Sequence, residues 1–391
     1  MPKDPHSQTP PLNGVHSLFT AEGRNHARMR RTLVNSFSER ALKEQAQNIE
    51  PYADGLIRRL RRELKKVSEN GGTMDLSTFY GYAALDIISD MTYGAKFGAV
   101  RNSLSYFYPL DRVFGFVFLR LTAKVRARNW QYSADRVKKR LKMAEAGINR
   151  ADFVTPVIGH VIAKGEGDKG ITSAELSNNS LAMVIAGCQL TTVALTTATY
   201  LLGKNPKAKH RLQKELRSTF SSQDDITILS VQTLPYLAAV LDETIRLHHP
   251  TPIHLPRIVP AEGQIIDGQW VPGNTVIGMA LQTAQTSSAY WEEPLSFHPE
   301  RFLEPGHPWF DSRFLKDKKQ VFRPYSIGNR NCIGERFFKS EFKLLLSRVL
   351  FSFNVELSDL TDNNWMDQKA FLVFDLKALY VNLEEETGRV Q

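Results

Sequence analysis

Apolar positions recur at helical spacing through most of the first 250 residues, and only afterwards does the pattern shorten into small alternating runs. Leu42, Ile49 and Leu56 repeat at intervals of seven within residues 25–65, so they share one face of a helix otherwise rich in Arg, Lys and Glu. Asn70-Gly71-Gly72 breaks that region, and residues 76–93 predict a more deeply buried helix ending near Gly94. The 100–130 segment is aromatic and basic (Tyr106, Phe107, Tyr108, Phe114, Phe116, Phe118, Trp130), and 131–165 returns to helix before a polar Gly165–Gly170 loop. Thr172 and Glu175 are spaced as a capping box. They open an apolar helix from Ser173 to about Leu202, which Gly203 and Pro206 stop. A helix of that length runs about 45 Å, across a whole domain, and one this apolar must be central.

A surface helix over Pro206–Phe220 follows, and then 234–249, where Leu234, Leu237, Leu241 and Ile245 share a face. Short strands are predicted at Ile258-Val259, Ile265-Ile266, Trp270-Val271 and Thr275–Met279, separated by Gly-containing turns. Residues 280–320 read as loop, a last amphipathic helix runs from Cys332 to Phe351, and short strands close the chain. The pattern implies an α+β fold, mostly α, with a small β patch in the C-terminal half.

Composition narrows the class without changing the fold. At 391 residues, with 42% hydrophobic and 23% charged, the chain can bury a sizeable core and is neither disordered nor collagen-like. Two cysteines, Cys188 and Cys332, provide no disulfide framework. A net charge of +9 is a mild excess at this length. No fold signature or interleaved basic and aromatic stripe supports nucleic-acid binding. Met1–Gly14 is polar and Pro-rich, unlike a signal peptide, and the apolar runs Phe114–Leu119 and Leu181–Gly187 are too short to span a membrane. As given, the chain reads as soluble and cytoplasmic.

The chemistry gathers at residues 325–334, YSIGNRNCIG. Cys332 stands at the start of a helix whose apolar face is Phe338, Phe342, Leu345 and Val349. Free backbone N–H groups and the helix dipole there favour a thiolate. Gly328 and Gly334 remove side chains on either side, as a flat, bulky group needs if it is to approach closely. Arg330 is placed to meet a carboxylate of that group. A lone cysteine here is most simply a core residue, but the string Gly-x-Arg-x-Cys-x-Gly is far more specific.

This segment resembles the heme-binding loop of the cytochrome P-450 family, with Tyr325 in place of the usual Phe. The resemblance implies heme b held by the Cys332 thiolate as the metal ligand, with Tyr325, Gly328 and Arg330 shaping the loop. Two further family motifs follow in order: Glu243-Thr244-Ile245-Arg246, and Pro299-Glu300-Arg301-Phe302. Alone, the first is an ordinary surface pair; within the family the three residues Glu243, Arg246 and Arg301 form a buried network below the heme. Upstream, His26 and Arg30 resemble the heme-flanking helix, with His26 where Trp is common and Arg30 as a propionate partner; His26 is equally readable as a surface histidine. Arg257 resembles a further propionate contact. Histidines 248, 249 and 254 match no zinc spacing.

The helix 173–202 is expected to cross the distal face. The family's Ala/Gly-Gly-x-Asp/Glu-Thr-Thr/Ser is here Ala186-Gly187-Cys188-Gln189-Leu190-Thr191. Gly187 would leave room for dioxygen, Gln189 replaces the acid, Leu190 the first threonine, and Thr191 matches the second. Gln carries no acidic proton and Leu no hydroxyl. Proton delivery would then run through Thr191 and water, or through a substrate hydroxyl; otherwise the enzyme performs oxidative coupling, dehydration or rearrangement.

The resemblance further implies O2, a lipophilic substrate, and an NADPH-cytochrome P-450 reductase docking on basic residues such as Arg28, Arg31, Arg336 and Lys343. The wording around the motifs is most similar to fungal secondary-metabolite members of the isotrichodermin hydroxylase type, and the aromatic 100–130 segment is a candidate substrate lid. The family is a single heme domain, here 1–391: an irregular start (1–24), a helical region (25–250), then the β patch, cysteine loop and last helix (251–391). Family members carry an endoplasmic-reticulum membrane anchor and first strands that this chain lacks, which would leave a sheet edge open near 258–280 and puts activity in doubt. A non-catalytic scaffold, and a serine acyl-enzyme at Ser340-x-x-Lys343, are the remaining alternatives.

Overall fold

A computed structural model of the chain describes residues 1–4, 11, 13–67, 73–96, 98–99, 119–162, 170–253 and 255–386. The aromatic run 106–118, the Asn70-Gly71-Gly72 break, His254 and most of the Gly165–Gly170 loop lie outside the described residues.

The helical region expected over 25–65 is divided. Helix α1 (Gly23–Leu33) passes through a 3-10 turn (Val34–Phe37) into α2 (Glu39–Val67). Asn35-Ser36-Phe37-Ser38 is that junction, fixed by the Ser36 hydroxyl donating to the Phe153 carbonyl (2.7 Å) and by Phe37 packing 4.5 Å from the Phe153 ring. The heptad-spaced Leu42, Ile49 and Leu56 are all buried along α2.

Strand β1 (Thr73–Asp75) leads directly into α3 (Leu76–Tyr93). Asp75 caps α3 by accepting from the Ser77 amide, and Gly94 ends it in the left-handed region at φ +62. After α4 (Leu119–Glu145) and α5 (Thr155–Ile162), the capping box of Thr172 and Glu175 forms and opens α6 (Ser173–Lys204). This helix has an 18-residue window of mean hydropathy 1.6, long and apolar enough by composition to cross a membrane, which the short apolar runs did not anticipate. Here its apolarity has a simpler cause: α3, α4 and two later helices, Pro235–Leu247 and Glu335–Ser352, all pack against it.

Helices α7 (Pro206–Thr219) and α8 (Pro235–Leu247) follow, with Leu234, Leu237, Leu241 and Ile245 buried as their spacing predicts. The β patch resolves into two antiparallel pairs. Strand β2 (Arg257–Ile258) pairs with β5 (Val276–Ile277), and β3 (Gln264–Ile266) with β4 (Gln269–Val271). The edge of β2 expected to be open is occupied by the chain's own first residues: Lys3 bridges Arg257, and the Ile258 amide donates to the Pro2 carbonyl (3.0 Å). A short α9 (Leu281–Gln285) and 3-10 turns replace the expected loop. The chain ends with α10 (Glu335–Ser352), β6 (Phe353–Leu357) and β7 (Tyr380–Glu385). The order β1-β7-β6 makes a three-stranded antiparallel sheet in which Met74 faces Val381 and Val355 faces Leu383.

One core cluster runs from Leu18 to Leu383. Its tightest joint is α3 against α6: a Cβ on Gly187 would stand 2.5 Å from the Ile88 side chain. Gly187 is therefore small where the Ile88 side chain of a neighbouring helix occupies the space a Cβ would take.

Candidate active site

The loop 325–334 is wound by its own backbone. Ser326 (φ +60) and Gly328 (φ +76) turn it through the left-handed region, and the Cys332 amide donates back to the Tyr325 carbonyl (2.8 Å). Gly328 thus meets a torsional need, since a Cβ there would meet nothing within 4 Å. Helix α10 begins at Glu335, so Cys332 precedes it by three residues, and the amides of Gly334 and Glu335 lie near enough to lower the thiol's pKa. Burial pushes the Cys332 thiol up, while those amides and the Arg30 charge pull it down, and burial wins. A cation at the sulfur would reverse that balance. The Tyr325 ring packs 6.0 Å from Phe338, and its hydroxyl, the departure from Phe, is buried without a partner among the described residues. Tyr325 serves the loop through its carbonyl.

Around one side of this loop stand Lys3, His26, Arg30, Arg257 and Arg330. None has a carboxylate within ion-pair distance among the described residues, and their donors rest mostly on carbonyls. Arg330 donates to the Ala21 carbonyl (2.9 Å), Arg257 to the Leu255 and Pro256 carbonyls, and Arg30 to the backbone and side-chain oxygens of Asn331. Arg30 is thus committed to the cysteine loop itself, a positioning duty the sequence did not reveal. His26 is 7% exposed, which removes the surface reading. Burial, then Arg330, Arg30 and Lys3, push its pKa down to about 4, so it is a neutral N–H donor at pH 7. A partly buried group of like charges is costly unless an anion meets it. Convergent cations, a sulfur beside two amides, and open space beside Gly328 and Gly334 fit a flat, metal-bearing group with acidic substituents. A heme has that chemistry.

Helix α6 carries a band of partly exposed residues, Ala182, Met183 and Ile185–Leu190, inside an otherwise buried helix. The band ends at Thr191, which is fully buried and donates its hydroxyl to Glu341 Oε2 (2.9 Å) on α10. Its hydroxyl proton thus serves the joint between α6 and the helix that follows the cysteine, a partner that the expected proton-delivery role did not include. Gln189 and Leu190 remain on the open band.

Glu341 itself was invisible in the sequence, lying inside an amphipathic helix and within the Ser340-x-x-Lys343 string. Ser340 is buried and accepts from Gln232, with no nucleophilic partner among the described residues. Burial pushes the Glu341 carboxyl up to about 8, and its Oε1 has no partner among the described residues. The folded protein therefore holds this proton more tightly than the unfolded chain, whose glutamates titrate near 4.3. The stabilisation is complete below about pH 4 and is lost as pH rises through about 8, with a ceiling of roughly 5 kcal/mol. Glu341→Gln, which can still accept from Thr191, is expected to flatten the melting temperature between pH 5 and 9. Calorimetry across that range checks it; an unchanged pH slope refutes the assignment.

Below the loop, Glu243 accepts from Arg246 Nε (2.6 Å) and Nη2 (2.9 Å), from Arg301 Nε (3.0 Å) and from the His298 amide (2.8 Å), all fully buried side chains but for His298. Asp317 adds a second carboxylate to Arg301 that the motifs did not announce. Arg246 also binds the carbonyls of Gln285 and Pro294 (both 2.7 Å), and Trp291 stacks over both guanidiniums. Trp291 and Phe302 contact Phe322, and His249 Nε2 reaches the Pro324 carbonyl (3.0 Å), so the network carries the segment that enters the cysteine loop. His248 is instead buried against Phe374 with ring centroids 3.8 Å apart.

Three of the four basic residues expected on a docking face are paired or buried. Arg28 is paired bidentately with Glu175, tying α1 to α6, and Lys343 is buried. Arg336 is exposed and stands 3.7 Å from Glu39, while Arg31 is exposed with no ion pair among the described residues.

A family model described as Cytochrome P450 matches residues 2–381. The cytochrome P450 monooxygenase atr2 of Stereocaulon alpinum is 33% identical over 402 residues, covering 97% of this chain and 76% of that protein. Averantin hydroxylase of Aspergillus parasiticus is 33% identical over 406 residues, covering 98% and 79%. The cytochrome P450 monooxygenase tpeC of Talaromyces stipitatus is 34% identical over 384 residues, covering 94% and 72%.

Proposed function

The chain belongs to the cytochrome P450 family, and on that premise we propose that it is a monooxygenase of fungal secondary metabolism that oxidises a lipophilic small molecule with O2 and electrons from a separate NADPH-dependent reductase. The observation that carries this reading is the cysteine loop: Cys332 beside the Gly334 and Glu335 amides and next to cations that have no carboxylate partner among the described residues. Cys332 would hold the iron, and Arg330 and Arg257, with His26 as a neutral donor, would take the acid groups of the heme. When bound, the heme supplies dioxygen activation and electron storage. The Gly334 and Glu335 amides draw the thiol's pKa down against burial, a shift to thiolate that the iron would complete. The band from Ala182 to Leu190 excludes water and shapes the substrate space, with Leu190 apolar where a hydroxyl is usual. An endoplasmic-reticulum location follows the family expectation and belongs to the same proposal.

A second reading is favoured by one feature: Gln189 has no acidic proton, Leu190 no hydroxyl, and Thr191 is spent on Glu341. Oxidative coupling, dehydration or rearrangement, which ask less of a proton relay, fit that environment. Expression with a fungal reductase and analysis of products decides between them. Hydroxylated products support the first reading; coupled or dehydrated products alone overturn it. If hydroxylation is limited by proton delivery, Gln189→Asp combined with Leu190→Thr is expected to raise the ratio of product to NADPH consumed by about tenfold or more. An unchanged ratio shows that the substrate supplies the proton.

A further inference from the structure

Lys3 stands apart from every motif in the chain, yet the fold delivers it to the cationic group beside the cysteine loop. Its backbone bridges Arg257 on the edge of β2, and the Asp4 amide reaches the Pro256 carbonyl (3.4 Å). Its Nζ donates to the Phe19 carbonyl, while Arg330 donates to the Ala21 carbonyl two residues further along the same turn. One turn thus seats two cations from opposite ends of the chain. The nearest acid, Glu22, spends Oε1 on the Lys3 main-chain amide (3.2 Å). Lys3 is half-buried, and burial together with Arg330 and Arg257 pushes its pKa down to about 8. An ammonium has three donors, and among the described residues only one of them is used.

We propose that Lys3 is a heme-binding residue, donating to a propionate beside Arg330 and taking the place that Arg30 leaves by binding Asn331. The inference rests on the heme-thiolate reading above. It explains why a half-buried lysine is held among arginines: two carboxylates entering the group convert mutual repulsion into attraction. It also gives the β2 bridge a function, since that pairing fixes the register that brings Lys3, rather than Pro2 or Asp4, to the Phe19–Ala21 turn.

The test is the rate at which heme leaves the loaded full-length protein for excess apomyoglobin, measured for the wild type, Lys3→Gln, Lys3→Arg and Lys207→Gln, an exposed control on α7. Lys3→Gln is expected to lose heme roughly three- to thirtyfold faster, the range for one partly exposed charge-assisted hydrogen bond, with the difference shrinking in high salt. Lys3→Arg and Lys207→Gln are expected to match the wild type. The melting temperature of each apoprotein separates binding from folding: a Lys3→Gln apoprotein that melts with the wild type and still loses heme faster supports the proposal. Equal heme-loss rates for Lys3→Gln and the wild type overturn it. So does a charge-reversed Lys3→Glu that keeps its heme at the wild-type rate. Failure of the underlying reading looks different: the wild type itself would then take up no heme.

Discussion

Cys332→Ala is expected to abolish the strongly red-shifted Soret band of the reduced, carbon monoxide-treated protein and to take oxidation to background, while leaving the apoprotein folded. The two halves of this expectation come from one geometry. The Cys332 side chain is exposed to the open space beside its loop, and that loop is shaped by the Cys332 amide on the Tyr325 carbonyl and by left-handed Ser326 and Gly328, none of which needs the sulfur. Removing the thiol therefore costs the apoprotein no more than about 1 kcal/mol. The sulfur is nonetheless the group beside which the Gly334 and Glu335 amides lie, and no other described side chain can replace it there. Spectra of reconstituted protein with apoprotein melting as control check both halves. A red-shifted band surviving in Cys332→Ala refutes the assignment, and a collapsed apoprotein refutes the claim that the loop is self-supporting.

Glu243→Ala is expected to be the most destabilising single change among the motif residues, by about 3–5 kcal/mol. The carboxylate has two buried guanidinium partners and a backbone donor, and its loss leaves Arg246 with carbonyls only and Arg301 with Asp317 as its one carboxylate beside the Glu292 and Glu293 carbonyls. A domain with a total stability of about 5–15 kcal/mol loses much of it. Arg246→Lys is expected to be nearly as harmful, because an ammonium cannot make the forked pair with Glu243 and also hold the Gln285 and Pro294 carbonyls. Urea unfolding of the apoproteins measures both. A loss below about 1 kcal/mol for Glu243→Ala would mean that the network is dispensable and that the segment before the cysteine loop is held by its aromatic contacts alone.

Much of this molecule was readable without coordinates. The buried faces of α2 and α8 and the capping box of α6 follow from spacing, and the cysteine loop and the Glu243–Arg246–Arg301 group follow from short motifs. Each depends on residues near one another in sequence or on a pattern that a whole family shares. The failures have a common cause as well. The strand β1 is three residues long and exists because β7 pairs with it over three hundred residues away in the chain. Arg28 and Lys343 look like surface charges until Glu175 and the packing of α10 claim them.

The sequence by itself determined the helical class, the central helix and the family that the cysteine loop announces, because local periodicity and short-range spacing encode those. Only the tertiary structure decided that Gly187 yields to Ile88, that Thr191 serves Glu341, that Arg30 serves Asn331, and that Lys3 joins Arg330 on one turn. Those are pairings between distant segments. Burial raises the cost of every unmet charge or donor there, and which partner meets it is settled by packing rather than by any pattern along the chain.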